Sequence, residues 1–281
     1  MRNMLRIMAN TIVANLCTTR HVGLMDGKTG LCLFLHEYGR YMSAPFYTET
    51  ANRLLYEVLE GDNTRLPYGI LDGFSGIGMG LCYLIRKGFV KGSTCSLLGD
   101  VDRKVLGNVR ACWALDRKYA SRRFTSGLYM LARQEVSFDG ALLQSWTDEI
   151  LPLVSKEYIR ACDDGLTPID ASLFESFRFV FDVIRCRYGD RIKCPEVNFT
   201  PEHMPLSCRT SEKAVANDMA ALYGCSVDDL LFPIIGLEPK VAFSAVLATR
   251  VEYVAAHFIH YVNTVNNEFA LLGLNIFNQK S

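Results

Sequence analysis

The sequence predicts an all-α fold assembled from repeated helical hairpins. A glycine-rich frame, G-[LI]-x-D-G-x-[ST]-G, occupies residues 23–30 and returns 46 residues later at residues 69–76. A spacing of that size accommodates two helices with their connections. Apolar residues recur every three or four positions after each copy, and no alternating run is long enough to demand a sheet.

The composition indicates a folded chain with a large core. The 281 residues are 49% hydrophobic and 21% charged, and 30 basic residues balance 30 acidic ones. A net charge near zero gives no electrostatic argument for nucleic acid, and no run of about 20 uninterrupted apolar residues predicts a membrane span. The ten cysteines form no CxxC pair, which is typical of a reducing compartment. We therefore expect a cytoplasmic protein with neither a nucleic-acid nor a membrane partner.

The glycines of the frame stand at fixed offsets in both copies. They are Gly23, Gly27 and Gly30 in the first copy and Gly69, Gly73 and Gly76 in the second. Glycine costs roughly 1 kcal/mol relative to alanine inside a helix, so its repetition predicts a geometric role. The frame therefore predicts structural turns that are left-handed or that bring two backbone segments close together.

Helices are expected in pairs after an amphipathic first helix within residues 1–20. Each unit combines a buried helix with an amphipathic one, at residues 31–41 and 48–59 in the first unit, with a turn around Pro45, and at 77–86 and 96–106 in the second. A third, worn copy is predicted at residues 126–133, where only the end of the frame remains. His36 and Cys82 occupy equivalent positions of the two units, 46 residues apart. This equivalence indicates that both are core positions of the buried helices.

Helix signals continue after residue 140 although the repeat fades. The patterns predict a helix at 142–160 interrupted at Pro152, one that starts at Thr167-Pro168 and ends near Tyr188, and further helices at 210–223, 226–232 and 239–263. The proline-rich stretch 191–208 is a long connection, with an extended piece at 195–199. We therefore assign residues 1–190 to helical-hairpin repeats and 191–281 to a divergent helical segment packed on, or completing, the same domain.

The glycine frame followed by an apolar helix resembles the repeats of the lanthionine synthetase C-like family. Those repeats read G-L-x-x-G-x-x-G before a buried helix. The resemblance is clear over residues 22–106, partial to residue 133 and weak beyond it. It implies an α/α toroid, complete or incomplete, in which glycine turns before the inner helices face a central cavity.

The resemblance implies the scaffold without the chemistry that the family often carries. Members that cyclise peptides hold zinc through a Cys and a Cys-His pair placed just before the second glycine of the frame. The equivalent residues here are Met25-Asp26, Leu71-Asp72 and, in the third copy, Arg122-Arg123. We therefore expect no cofactor and a peptide-binding or accessory protein in the modification of a ribosomally made peptide. Its partner would be a peptide substrate or the modification enzyme, and catalytic residues remain unassigned.

Asp26 and Asp72 are the leading candidates for a binding role. Both occupy the same turn position, so in a toroid they would point from adjacent repeats toward one cavity, together with Lys28 and Ser75. Carboxylates so placed suit substrate binding or acid–base work. Capping is the favoured interpretation of each Asp, because its carboxylate accepts hydrogen bonds from backbone N–H groups at a helix start.

Two enzymatic alternatives stay open. A zinc-dependent thioether cyclase would draw its ligands from the divergent half, at Cys208, Cys225, His257 and His260. His257 and His260 share one face of the predicted helix, although their aromatic and aliphatic neighbours favour packing. An α/α-barrel carbohydrate-active enzyme would instead use Asp26 and Asp72 as its acids.

Overall fold

The computed structural model describes residues 2–24, 27–61, 66–69, 73–111, 117–165 and 168–194, together with Ala270, Leu274 and Phe277. Every regular element in these ranges is a helix, which confirms the predicted all-α class for this part of the chain. The α-helices are α1 (Arg2–Ala14), α2 (Lys28–Met42), α3 (Pro45–Glu60), α4 (Phe74–Arg86), α5 (Thr94–Ala111), α6 (Arg117–Val136), α7 (Gly140–Asp164) and α8 (Pro168–Tyr188). A short 3-10 helix, Leu16–Thr18, follows α1. None of these helices is both long and apolar enough to cross a bilayer.

Helices α2 and α3 form an antiparallel hairpin. The start of α2 reaches the end of α3 through Lys28 and Glu57, whose charged atoms lie 2.7 Å apart. Near the turn, Gly39 lies so close to Thr48 that a Cβ would stand 2.5 Å from the threonine hydroxyl. Helix α3 begins three residues earlier than predicted because Pro45 occupies its first turn, where the fixed φ of proline suits a helix start.

Alternate helices α2, α4, α6 and α8 contact one another in succession. Between α2 and α4, Glu37 is hydrogen-bonded to Tyr83, and Arg40 is hydrogen-bonded to the Lys87 carbonyl. Because residue numbers rise together along the two helices, α2 and α4 are parallel. At the other end of the row, Gly127 contacts Val180 and Glu135 accepts a hydrogen bond from Tyr188, which makes α6 and α8 parallel as well. We call α2, α4, α6 and α8 the inner row.

The first two helices of the inner row are enclosed on every side. In α2, residues 29–39 are all buried, and in α4 residues 74–84 are all buried. Eleven consecutive residues span three turns of helix, so burial of this kind covers the full circumference. No exposed stripe runs along either stretch, and any open surface near these helices lies at their ends.

The remaining helices are amphipathic, as their apolar spacing predicts. Helix α3 buries Ala51, Leu54 and Val58 and exposes Tyr56, while α5 buries Leu98, Val101 and Val105. These faces close over the inner row and exclude water from it.

The predicted interruption of α7 at Pro152 is wrong. The helix continues from Gly140 to Asp164 with the proline inside it. Proline removes one backbone hydrogen bond, at a cost of about 3 kcal/mol in a helix interior. Buried Trp146 and Ile150 before the proline and Val154 after it lie on one face, and this shared burial holds both halves in line.

The third copy keeps only the last residues of the glycine frame and does not form its turn. Helix α6 begins at Arg117, so Ser126-Gly127 lies well inside the helix instead of at its start. Gly127 serves packing there, because a Cβ would stand 3.1 Å from the Trp146 ring and 3.0 Å from Val180. The predicted copy is therefore an inner helix without the preceding glycine turn.

Three residues of the C-terminal segment belong to the same core. Ala270 and Leu274 are buried, and the Phe277 ring lies 6.2 Å from that of Phe34 and 5.5 Å from that of Tyr41 on α2. The helices predicted at 210–223, 226–232 and 239–263 and the extended piece at 195–199 lie outside the described residues.

Substituting Gly73 tests whether crowding or backbone freedom requires glycine in the turn. A Cβ on Gly73 would stand 2.2 Å from the Pro67 carbonyl oxygen, whereas one on Gly107 in α5 would meet nothing within 4 Å. We expect Gly73→Ala to lower the free energy of unfolding by about 1–3 kcal/mol through overpacking. Gly107→Ala should raise it by up to about 1 kcal/mol, since alanine is the better helix former. Equal urea midpoints for the two variants would contradict the crowded turn.

Candidate functional site

The two glycine turns share one backbone geometry. In the first copy the Lys28 N–H donates to the His21 carbonyl at 3.0 Å, and in the second the Phe74 N–H donates to the Pro67 carbonyl at 3.0 Å. Each bond spans the same seven residues and closes the loop that leads into an inner helix. The repeated sequence frame therefore builds the same turn twice.

Close approach, and not a left-handed backbone, explains the second glycine of each frame. Gly27 has a φ of 175° and Gly73 a φ of −126°, both in ordinary extended regions. A Cβ on Gly27 would stand 2.5 Å from the Gly23 nitrogen, and one on Gly73 would stand 2.7 Å from the Gly69 nitrogen. The first glycine of each frame thus packs against the second.

The parallel direction of α2 and α4 brings both turns to the same end of the inner row. Asp26 and Asp72 immediately precede Gly27 and Gly73 in the sequence. Both aspartates lie outside the described residues, so their assignment to binding or to capping stays a prediction.

Lys28 and Ser75, the other two predicted binding residues, have different surroundings. The Lys28 ammonium contacts the Glu57 carboxylate of α3 and its side chain is 19% exposed. Ser75 is fully buried in the first turn of α4, and within the described part of the chain its hydroxyl has no hydrogen-bond partner. The structure therefore places Lys28 against the outer helix and Ser75 within the core at the turn.

Three equivalent hydroxyls mark the inner helices, at Thr29, Ser75 and Ser126. The Thr29 hydroxyl donates to the Val22 carbonyl, and the Ser126 hydroxyl accepts a hydrogen bond of 2.9 Å from the Trp146 indole. Two of the three thus tie an inner helix to the chain around it. Ser75 differs from both, although its place in the frame is the same.

Sequence reasoning missed the polar pairs that connect the helices. Tyr83 on α4 is buried and donates its hydroxyl proton to Glu37 on α2, with 2.7 Å between the oxygens. Glu37 and Tyr83 are 46 residues apart, which is the length of the repeat. Two polar residues at equivalent positions of two apolar helices could therefore have predicted this contact.

A second buried polar cluster lies between α5 and α6. Arg133 is 2% exposed, and its Nε donates to Asp102 at 3.2 Å while its Nη1 donates to the Ser137 carbonyl at 2.8 Å. Tyr129 donates to the second oxygen of Asp102. Burial, together with the charge and the hydrogen bond of Asp102, raises the pKa of Tyr129 and keeps this phenol protonated at neutral pH. The cluster is a satisfied structural network in which each charge has its partner.

The inner-row cysteines are core residues. Cys32 and Cys82 are fully buried, and burial raises the pKa of the Cys82 thiol to about 12 and that of Cys32 further still. A thiol must ionise to act as a nucleophile or a zinc ligand, so these two are suited to neither role. The core position predicted for His36 and Cys82 is confirmed, since both are fully buried.

The described residues do not fit the zinc centre that the resemblance would supply. No group of three His, Cys, Asp or Glu residues within them is placed to hold a metal ion. The alternative ligands Cys208, Cys225, His257 and His260 lie outside the described ranges, so the zinc-dependent reading of that segment stays a hypothesis.

Removing Arg133 tests whether the α5–α6 cluster holds the fold. Arg133→Met leaves Asp102 without its cation in a largely buried place, and we expect a loss of about 3 kcal/mol in the free energy of unfolding. Arg103→Met is the matched control, because its pair with Asp100 leaves both side chains about four-fifths exposed at 78% and 81%. Such a pair contributes little, so its removal should leave the urea midpoint in place. Similar losses of unfolding free energy in both variants would show that the buried cluster stabilises the fold no more than the exposed pair does.

Comparison with known proteins adds no relative to this description. No protein-family model, no curated protein and no solved structure gives a significant match to the chain.

Proposed function

We propose that the protein is a non-catalytic helical scaffold of the lanthionine synthetase C-like kind that binds a peptide during the modification of ribosomally made peptides. The observation that carries the proposal is the duplicated turn. Two copies with the same backbone hydrogen bond and the same crowded glycine lie at one end of adjacent parallel helices.

The duplicated turn supports peptide binding through the acids that precede it. Each copy carries an aspartate at the same position of the sequence frame, immediately before the second glycine of the turn. A peptide presents backbone N–H groups and cationic side chains at regular intervals, and carboxylates accept charge-assisted hydrogen bonds from both. The enclosed middle of α2 and α4 leaves the helix ends as the accessible part of this region.

The state of the cysteines supports an accessory role over a catalytic one. The inner-row thiols are buried, and their raised pKa values keep them protonated at neutral pH. A thioether cyclase needs a metal that converts a substrate thiol into thiolate. Binding and presentation of a peptide need no such group.

Fluorescence anisotropy with a labelled synthetic peptide rich in Cys, Ser and Thr tests the proposal. We expect the wild-type chain to bind it, Asp26→Asn and Asp72→Asn each to weaken binding about tenfold, and the double variant to weaken it further, because each lost charge-assisted bond is worth about 1.5 kcal/mol. Asp100→Asn is the control, since this exposed acid lies on α5 and pairs only with Arg103 among the described residues.

Other outcomes would overturn the proposal in distinguishable ways. Unchanged affinity with a lowered melting temperature in Asp26→Asn and Asp72→Asn would assign the aspartates to helix capping. Stoichiometric zinc in the purified protein, with thioether formation in a dehydrated peptide, would assign it to the cyclases. Carbohydrate hydrolysis abolished by either Asp→Asn change would make it a carbohydrate-active enzyme.

A further inference from the structure

The connection between α4 and α5, residues 87–93, packs against helix α2 through Phe89. Its ring centroid lies 4.8 Å from that of His36, and the Arg40 guanidinium carbon lies 3.6 Å from the ring centroid. Arg40 also donates a hydrogen bond of 2.6 Å to the Lys87 carbonyl at the end of α4. Two side chains of α2, one turn apart, therefore hold this connection in place.

His36 is the unusual member of this group. It is fully buried, and within the described part of the chain neither ring nitrogen has a hydrogen-bond partner. A neutral imidazole carries one donor and one acceptor, and buried polar groups are normally paired. The contacts of His36 are instead with an aromatic ring, which suits a neutral imidazole and gives no anionic partner to a charged one.

The charges around His36 oppose its protonation. Burial, and second the Arg40 guanidinium, lower the pKa of His36 to about 4. At the end of α4, Arg86 and Lys87 lie over the Tyr83 ring, each 5.7 Å from its centroid. The neighbouring acid Glu37 accepts the hydrogen bond of Tyr83. An imidazolium at this place would thus be buried beside the Arg40 guanidinium.

We propose that His36 is an acid-sensitive latch, whose protonation releases the Phe89 connection from helix α2. One proton from solvent binds the imidazole, and the charged ring leaves the core for water. Phe89 then loses its ring contact with His36, while its contact with Arg40 remains. The connection turns at Gly88, with a φ of 72°, so it bends back on α4 at a residue that favours this conformation.

The difference in the pKa of His36 between the latched and released states fixes the pH range in which protonation favours release. The pKa of His36 is about 4 in the folded chain, against 6.5 for a histidine that is exposed to water, so the latched state is fully favoured above pH 6.5 and loses its advantage as the pH falls toward 4. At pH 5 the release equilibrium shifts by about thirtyfold, and the limit at low pH is about 300-fold.

Hydrogen exchange at two amides reports the latch directly. The N–H groups of Phe89 and Val90 donate to the Leu84 carbonyl at 2.9 and 3.3 Å and lie in the segment that His36 and Arg40 contact, so their exchange reports opening of this segment. In the full chain, we expect their protection, corrected for intrinsic exchange, to fall about thirtyfold between pH 7.5 and pH 5. The Ala44 amide, bonded to the Gly39 carbonyl at the α2–α3 turn, is the internal control and should keep its protection.

Variants separate the latch from general acid instability. His36→Phe keeps an aromatic ring against Phe89 and removes the proton site, so the fall in protection at Phe89 and Val90 should vanish. If that variant does not fold, Phe89→Ala serves instead. It removes the ring that contacts His36, so at pH 7.5 the Val90 amide should already show the low protection that wild type shows at pH 5. His21→Gln, a change at an exposed histidine, should behave as wild type. Protection that is independent of pH in wild type, unchanged pH dependence in His36→Phe, or a parallel loss at Ala44 would each overturn the latch.

Discussion

The inner helices approach one another at distances that only glycine permits, and the rest of the structure depends on this closeness. Helix α4 meets α2 where a Cβ on Gly80 would stand 2.3 Å from the Thr29 methyl group, and it meets α6 where one on Gly78 would stand 2.3 Å from the Tyr129 ring. The turn that starts α4 is equally tight at Gly73. Three glycines thus fix where α4 begins and how near it lies to both neighbours.

Close packing of the inner row determines which buried polar groups find hydrogen-bond partners. With water excluded from the inner row, a buried charge or hydroxyl requires a partner from a neighbouring helix. Glu37 finds Tyr83, and Arg133 finds Asp102, so each polar pair also joins two helices. Among the described residues, His36 and the Ser75 hydroxyl are exceptions. The neighbours of His36 are an aromatic ring and a cation, and its burial beside them underlies the proposed response to acid.

The sequence predicted the local features well because they depend on local chemistry. The glycine frame and the apolar period located α2 to α5, whose observed starts fall two or three residues before the predicted ones since the turn residues join the first helical turn. The failures arose where distant contacts decide the outcome. Trp146 and Val154 keep α7 continuous through Pro152, and Ser126 lies inside α6 although its frame resembles a turn. The Glu37–Tyr83 pair required the register between repeats, and the aspartates of the frame remain predictions.

The structure depends on the close approach of α2 and α4 at Thr29 and Gly80, and a disulfide measures this approach most directly. The Thr29 Cβ lies 3.8 Å from the position of a Cβ on Gly80, within the range of about 3.5–4.5 Å that a disulfide requires. Under mild oxidation, peptide mapping of the Thr29→Cys, Gly80→Cys double variant should show a bond between residues 29 and 80. Thr29→Cys with Gly107→Cys, a site on α5, should show none between its new cysteines. A folded double variant that forms no bond between residues 29 and 80 would contradict the arrangement of the inner row.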